Sequence, residues 1–236
     1  MPEQVDTRVS LSLHPETFTA LDGYDENTVG FVGDALSAFN DAYVTIGRIH
    51  TATEVGRKDL TQTEEHRVLV VGKEAAKQQA RLLRRFDVAT TNIKKGAEQI
   101  EHELSVPIES KASLGIAAEV RAHATSLKGG ASDFVRQRIT SGDDLSVSAV
   151  LGAPSYLSGL TDDTRSVLTR MWHERQNPAL VQRLTLMRSV LDKLDRDGGR
   201  VITEMQKAVG ADPATLRGID AAHTAARAAL DIEPTV

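Results

Sequence analysis

The chain has 236 residues, enough to bury a sizeable core in one large domain or two small ones. It contains no cysteine, which excludes disulfides and thiolate metal sites. A formal net charge of −5 argues against the global basic footprint of a nucleic-acid binder, and 4% aromatic residues suit a core of Ala, Leu and Val between closely approaching helices.

The opening residues, MPEQVDTRVSLSLHPE, hold no basic segment followed by an apolar run, so no secretory signal is expected. Residues 1–25 read as an irregular N-terminal arm, because Pro2, Pro15, Gly23 and the run DGYDEN favour turns. Within it Val9, Leu11 and Leu13 alternate with Ser10 and Ser12, which is a strand period. A lone short strand is not stable. The arm is therefore expected to pack on helices as a loop or to pair with another chain as a strand.

Residues 26–57 predict a helix, with Val32, Leu36, Phe39, Tyr43 and Ile46 on one face and Asp25 or Asn27 as its cap. From Thr61 to Leu104 there is no proline. Leu69, Gly72, Ala76, Gln79, Leu83, Phe86, Thr90, Ile93, Ala97, Ile100 and Leu104 alternate spacings of three and four, a heptad seam. Val68, Ala75, Leu82 and Ala89 lie beside the seam and widen it into a bundle-facing stripe. Thr61 to Glu64 fits a capping box. The two helices are expected to fold as a long antiparallel hairpin over about residues 26–105.

Pro107 ends that element. A helix with only a small-residue face follows over about 110–128, stopped by Gly129-Gly130, and a short one over 134–139. Residues 141–144 read as a turn. Thr161-Asp162-Asp163 starts a further helix with Leu160, Val167, Leu168, Met171 and Trp172 on its apolar face. After Asn177-Pro178 a seam resumes at Leu184, Met187, Leu191, Leu194, Gly198, Val201, Met205 and Ala208. Its unbroken phase favours one helix over 178–209 against a hinge at Gly198-Gly199, although two interior glycines weaken it by about 2 kcal/mol. Asp212-Pro213 opens a last helix carrying Leu216, Ile219, His223, Ala226 and Leu230. The fold class expected is all-α: the hairpin plus a second helical subdomain, divided as an arm (1–25), the hairpin with its following helices (26–140) and the subdomain (141–236).

Motifs for nucleotide binding (G-x-x-x-x-G-K-[ST], G-x-G-x-x-G) and the hydrolase elbow G-x-S-x-G are absent. Glu98/His102 and Glu119/His123 are each four apart, and facing helices could bring them together as a metal site. An i,i+4 contact on a solvated face is the favoured reading, so no metal, cofactor or catalytic residue is expected. Between Lys73 and Lys95 seven basic residues meet two acidic ones. Lys73, Lys77, Arg81, Arg84 and Arg85 form the stripe that an alternative function, a helical regulator or adaptor binding nucleic acid, would use. No aromatic interleaves them, and a solvated outer face is the favoured reading.

The most unusual stretch is LSVSAVLGAPSYLSGLT, residues 145–161, seventeen residues without a charge in a chain that is 26% charged. It is too short and too rich in Gly, Pro and Ser to span a membrane. It parses as two short turns of helix: Asp143 or Asp144 caps the first, Gly152 ends it, Pro154 starts the next and Gly159 ends that. Its large hydrophobes need cover, from this chain's core or from another subunit. In the second case Val147, Leu151, Tyr156 and Leu157, with Trp172, are the expected partner contacts.

The string SAVLGAPSYLSGLT resembles a segment of uncharacterised helical proteins encoded by tailed phages and prophages. The resemblance covers about twenty residues and carries no catalytic motif. It implies a structural or assembly protein of a phage particle. With no signal, no membrane span and no catalytic motif, the chain is expected to be cytoplasmic or in the virion, to act through contacts with protein subunits, its own copies or others, and not to be an enzyme.

Overall fold

Proline, glycine and short polar side chains set most helix ends. The structure, a computed structural model, describes residues 5–230. It is all-α, with no strand among the described residues. The helices are α1 (Gly33–Gly56), α2 (Glu64–Glu103), α3 (Leu114–Ser126), α4 (Gly130–Ser141), α5 (Asp144–Leu151), α6 (Ser155–Ser158), α7 (Asp162–Gln176), α8 (Pro178–Gly198), α9 (Arg200–Val209) and α10 (Pro213–Leu230). None is long and apolar enough to cross a membrane. Contacts divide the chain into two units. One takes in the described residues up to Lys94 and from Leu186 onward, and the other is Lys95–Thr185. The boundary expected at 140/141 falls inside α4, within the second unit.

In the first unit the arm is not a strand. Leu11–Leu13 and Pro15–Ala20 are 3-10 helices. Local bonds satisfy the backbone: the N–H of Leu13 donates to the Ser10 carbonyl and that of His14 to the Leu11 carbonyl, both at 3.0 Å. Val9 and Leu13 are buried while Leu11 is 60% exposed. The inward residues are four apart, so the alternation seen in sequence has no two-sided sheet beneath it.

Asp25 does not cap a helix starting at 26. Its carboxylate accepts the N–H groups of Asn27 (2.7 Å) and Thr28 (2.8 Å), making a turn that leads into a 3-10 turn at Val29–Val32 and only then α1. α1 buries Ala35, Ala38, Phe39, Ala42, Tyr43, Ile46 and Ile49. Thr63, not Thr61, caps α2, accepting the N–H of His66 at 3.3 Å, while Thr61 is bound to Asp59. As far as Ala89 the buried line of α2 alternates between the seam (Leu69, Gly72, Phe86) and the flanking stripe (Ala75, Leu82, Ala89). Ala76 is exposed and Leu83 half-buried. From Ile93 the seam and the buried line coincide.

Contacts between α1 and α2 run in opposite senses along the two helices: Asp34 with Asn92, Asp41 with Arg85, Phe39 with Phe86 at 5.0 Å between ring centroids, and Arg67 with the carbonyl of Gly56. α9 packs on α1, and Thr53 Oγ1 donates to the Ala208 carbonyl at 2.7 Å.

The favoured single helix over 178–209 is interrupted. α8 ends at Gly198 and α9 begins at Arg200, with Gly199 between them. Gly199 retains right-handed helical torsions (φ −64°, ψ −22°), so the buried phase carries across the break from Leu194 to Val201 and Met205. Asp212 caps α10 through the N–H groups of Ala214 and Thr215, both at 2.8 Å. α10 buries no residue fully. Leu216 fills the space a side chain at Gly72 would need: its Cδ2 stands 2.5 Å from where a Cβ would lie.

The second unit has a core of Ile108, Phe134, Val135, Ile139, Val147, Val150, Leu151, Leu160 and Leu168, packed by α3, α4, α5 and α7. α3 buries only the small residues Ala117 and Ala124, with Val120 half-buried against the core. α4 starts at Gly130 with φ +65°, four residues before the start expected at 134, and no side chain caps it.

Candidate functional site

The uncharged segment 145–161 is divided between core and surface. Asp143 caps α5 by accepting the N–H of Ser146 at 3.1 Å, and Gly152 ends it. Val147 and Leu151 are 0% and 2% exposed. They are core residues of the second unit and offer nothing to a partner of the folded chain. The reason is local: α5 is buried on nearly every side, by α3, α4 and α7.

α6 behaves differently. Pro154 precedes it, Gly159 closes it in the left-handed region at φ +71°, and Ser155 Oγ is hydrogen-bonded to Asp162. Ser158 and Leu160 are buried, so the turn is anchored from below. Tyr156 and Leu157 point away, 84% and 52% exposed. Trp172 is half-buried against the core. Its indole N–H donates to Asp144 Oδ1 at 3.1 Å, and Lys111 Nζ stands 5.6 Å from its ring centroid. Its polar edge is therefore satisfied inside the unit. Of the five expected partner contacts, Tyr156 and Leu157 alone form an outward pair.

The basic stripe is largely neutralised by its own chain. Lys73 pairs with Asp220 (2.6 Å), Lys77 lies 3.7 Å from Glu74, and Arg85 turns inward to Asp41 and Ser37. Arg81 and Arg84 make no ion pair among the described residues and are exposed. A phosphate backbone would thus meet two free guanidinium groups where the sequence offered five cations. Glu98/His102 and Glu119/His123 do not come together as a site. No group of three metal-ligating His, Asp or Glu side chains occurs among the described residues.

Sequence reasoning missed three buried charges. Lys193, Asp197 and Glu204 lie on one line with Leu186, Val190, Val201 and Ala208, all buried. Lys193 Nζ donates to the Ser12 carbonyl (2.8 Å) and to Asp197 (3.1 Å), and it stands 4.7 Å from the Phe39 ring centroid and 5.7 Å from that of Phe18. Glu204 accepts the N–H of Ser10 at 3.1 Å and binds Lys207 at 2.6 Å. These charges hold the arm to α8 and α9. The available signal was their spacing of four and seven inside an otherwise apolar line.

A second clasp holds the start of the arm. Arg8 forks onto both oxygens of Asp6 (2.9 and 2.7 Å) and reaches Glu54 at 2.9 Å, while Tyr43 Oη donates to the Asp6 carbonyl at 3.0 Å. The hydrogen bonds from Arg8 hold the Asp6 carboxyl down at about 2. A depressed carboxylate stabilises the fold above its ordinary value near 4 and loses that contribution as pH falls through the folded value. The stability gap between the native chain and Asp6→Asn is therefore expected to be full at neutral pH and to close between about pH 4 and 2. Urea titrations at stepped pH check this; a gap unchanged at pH 2 contradicts it.

Comparison of the chain with protein-family models, curated proteins and solved structures finds no match.

Proposed function

We propose that this protein is a non-enzymatic subunit of a larger protein assembly and works through helix packing and subunit contacts. Its fitting setting is a phage particle or its assembly pathway, to which the resemblance of residues 145–161 points. The observation that carries the proposal is the Tyr156–Leu157 pair, held outward on a short helix that is bounded by Pro154 and Gly159 and anchored by buried neighbours. A mounted aromatic beside an aliphatic residue is what a protein partner buries, and each side chain contributes up to about 1.5–3 kcal/mol when covered. Leu114 and Ile116 on α3, which touches α6, are 90% and 50% exposed and suit the same use.

The test is the mass in solution by light scattering. The native chain is expected to exceed its monomer mass of 25.5 kDa. Tyr156→Ser/Leu157→Ser is expected to lower that mass with unchanged helical circular dichroism and melting temperature, since neither residue supports the core. A native chain that stays at monomer mass at every concentration, or a variant that assembles as well as the native chain, contradicts the proposal.

A further inference from the structure

In the first unit, α2 borders two grooves of opposite charge. One, of about 600 Å³, is lined by Lys77, Arg81 and Arg84 with Ala80 and Val88 between them. Val88 is 57% exposed. The other, of about 450 Å³, lies between α2 and α8 and carries Asp87, Asp192 and Asp195 around Leu83 and Leu191. None of these three carboxylates makes an ion pair among the described residues, and all three side chains are exposed. Each groove holds one opposite charge: Asp34, already bonded to Asn92 at 2.8 Å, in the basic groove, and Lys94 in the acidic one.

The two linings share one helical spacing. Residues 77, 81, 84 and 88 step by four, three and four, and residues 83, 87, 90 and 94 repeat that pattern six positions on. At about 100° per residue the two faces point roughly 120° apart on α2. One molecule therefore cannot bring them together, but two molecules can.

We infer that the basic groove of one copy docks onto the acidic groove of a second copy. The two faces are complementary: the free guanidinium groups of Arg81 and Arg84 meet three unpaired carboxylates, and Val88 meets Leu83 and Leu191. A contact between two different faces is heterologous, so it leaves one free face of each kind at the ends of a dimer. It grows into a ring if the rotation closes and into a filament if it does not. This contact uses no residue of the Tyr156–Leu157 pair.

Sedimentation velocity at about 50 and about 500 mM NaCl tests it, because exposed ion pairs are screened over that range. The native chain is expected to associate at low salt, and that association to weaken roughly tenfold or more at high salt. Arg81→Glu/Arg84→Glu alone and Asp192→Arg/Asp195→Arg alone are each expected to lose the salt-dependent step, with native helical circular dichroism. Mixed together, they are expected to regain it, since the intact acidic groove of the first meets the intact basic groove of the second. Tyr156→Ser/Leu157→Ser is expected to keep the salt-dependent step, so the two contacts fail separately. Association insensitive to salt overturns the inference, as does a mixture of folded variants that stays apart. Loss of duplex DNA binding in Arg81→Glu/Arg84→Glu, with self-association untouched, overturns it in favour of a nucleic-acid surface.

Discussion

Asp197→Ala is expected to destabilise the protein by about 3–5 kcal/mol, the cost of breaking a buried pair by removing one partner. The Lys193 and Asp197 side chains are 3% and 4% exposed. With the carboxylate gone, the Lys193 ammonium keeps the Ser12 carbonyl and two aromatic faces but has no counter-charge within the core. Arg196 and Arg200, which also touch Asp197, are 64% and 53% exposed and can return to water. The paired replacement Lys193→Met/Asp197→Leu removes both charges together and is expected to cost far less than Asp197→Ala, because no charge is left stranded. Urea unfolding of the native chain, Lys193→Met, Asp197→Leu and the double variant gives the coupling directly. An Asp197→Ala cost below about 1 kcal/mol, the value of an exposed pair, contradicts the burial of this network.

Gly152→Ala is expected to cost about 2–3 kcal/mol, the range for forcing atoms into filled space. Its φ of −76° is open to any residue, so backbone strain plays no part. A Cβ there would meet the Ser148 carbonyl oxygen at 2.7 Å, the Ser110 nitrogen at 2.8 Å and the Ile108 carbonyl oxygen at 3.0 Å. All three are backbone atoms and cannot rotate away. The segment at 108–110 must shift, pulling Ile108 from the core and breaking the bond from the Lys111 N–H to Ser148 Oγ (3.1 Å). Gly115→Ala in α3, with nothing within 4 Å of its Cβ, is the control and is expected to gain about 0.5–1 kcal/mol. Thermal melts of the two variants check the pair. Equal melting temperatures would mean that the close passage at Gly152 is absent.

Helix existence and many helix ends were legible because they rest on local chemistry. Asp143, Gly152, Pro154, Gly159, Thr161, Pro178 and Asp212 act where their backbone preferences place them. The seam from Ile93 to Leu104 was legible for a similar reason: its period is a property of one helix. What the period cannot say is which neighbour covers it. Before Ile93 the cover shifts in part to Ala75, Leu82 and Ala89, and Ala76 is left in water. Arg84 and Arg85 differ by one position, roughly 100° of helix, and one faces solvent while the other meets Asp41.

The same limit divided the uncharged segment. Val147 and Tyr156 look alike in a run without charge, but only α5 has helices packed around it on most sides. Lys193, Asp197 and Glu204 were illegible for the opposite reason. A charged residue reads as solvated unless its partner is known, and Lys193 and Glu204 meet partners from the arm, about 180 residues away in sequence for Lys193 and Ser12, while Asp197 pairs with Lys193 itself.

Hydrogen exchange at α6, followed as the protein is concentrated from monomer to assembly, tests the subunit contact most directly. A four-residue helix has little internal protection: the Leu157 and Ser158 N–H groups both rest on the Pro154 carbonyl, at 2.9 and 3.1 Å. The expected result is that these two amides exchange more slowly in the assembled protein, while those of the buried α5 stay as they are. Assembly that leaves the Leu157 and Ser158 amides as fast as in the monomer would contradict the role given to Tyr156 and Leu157.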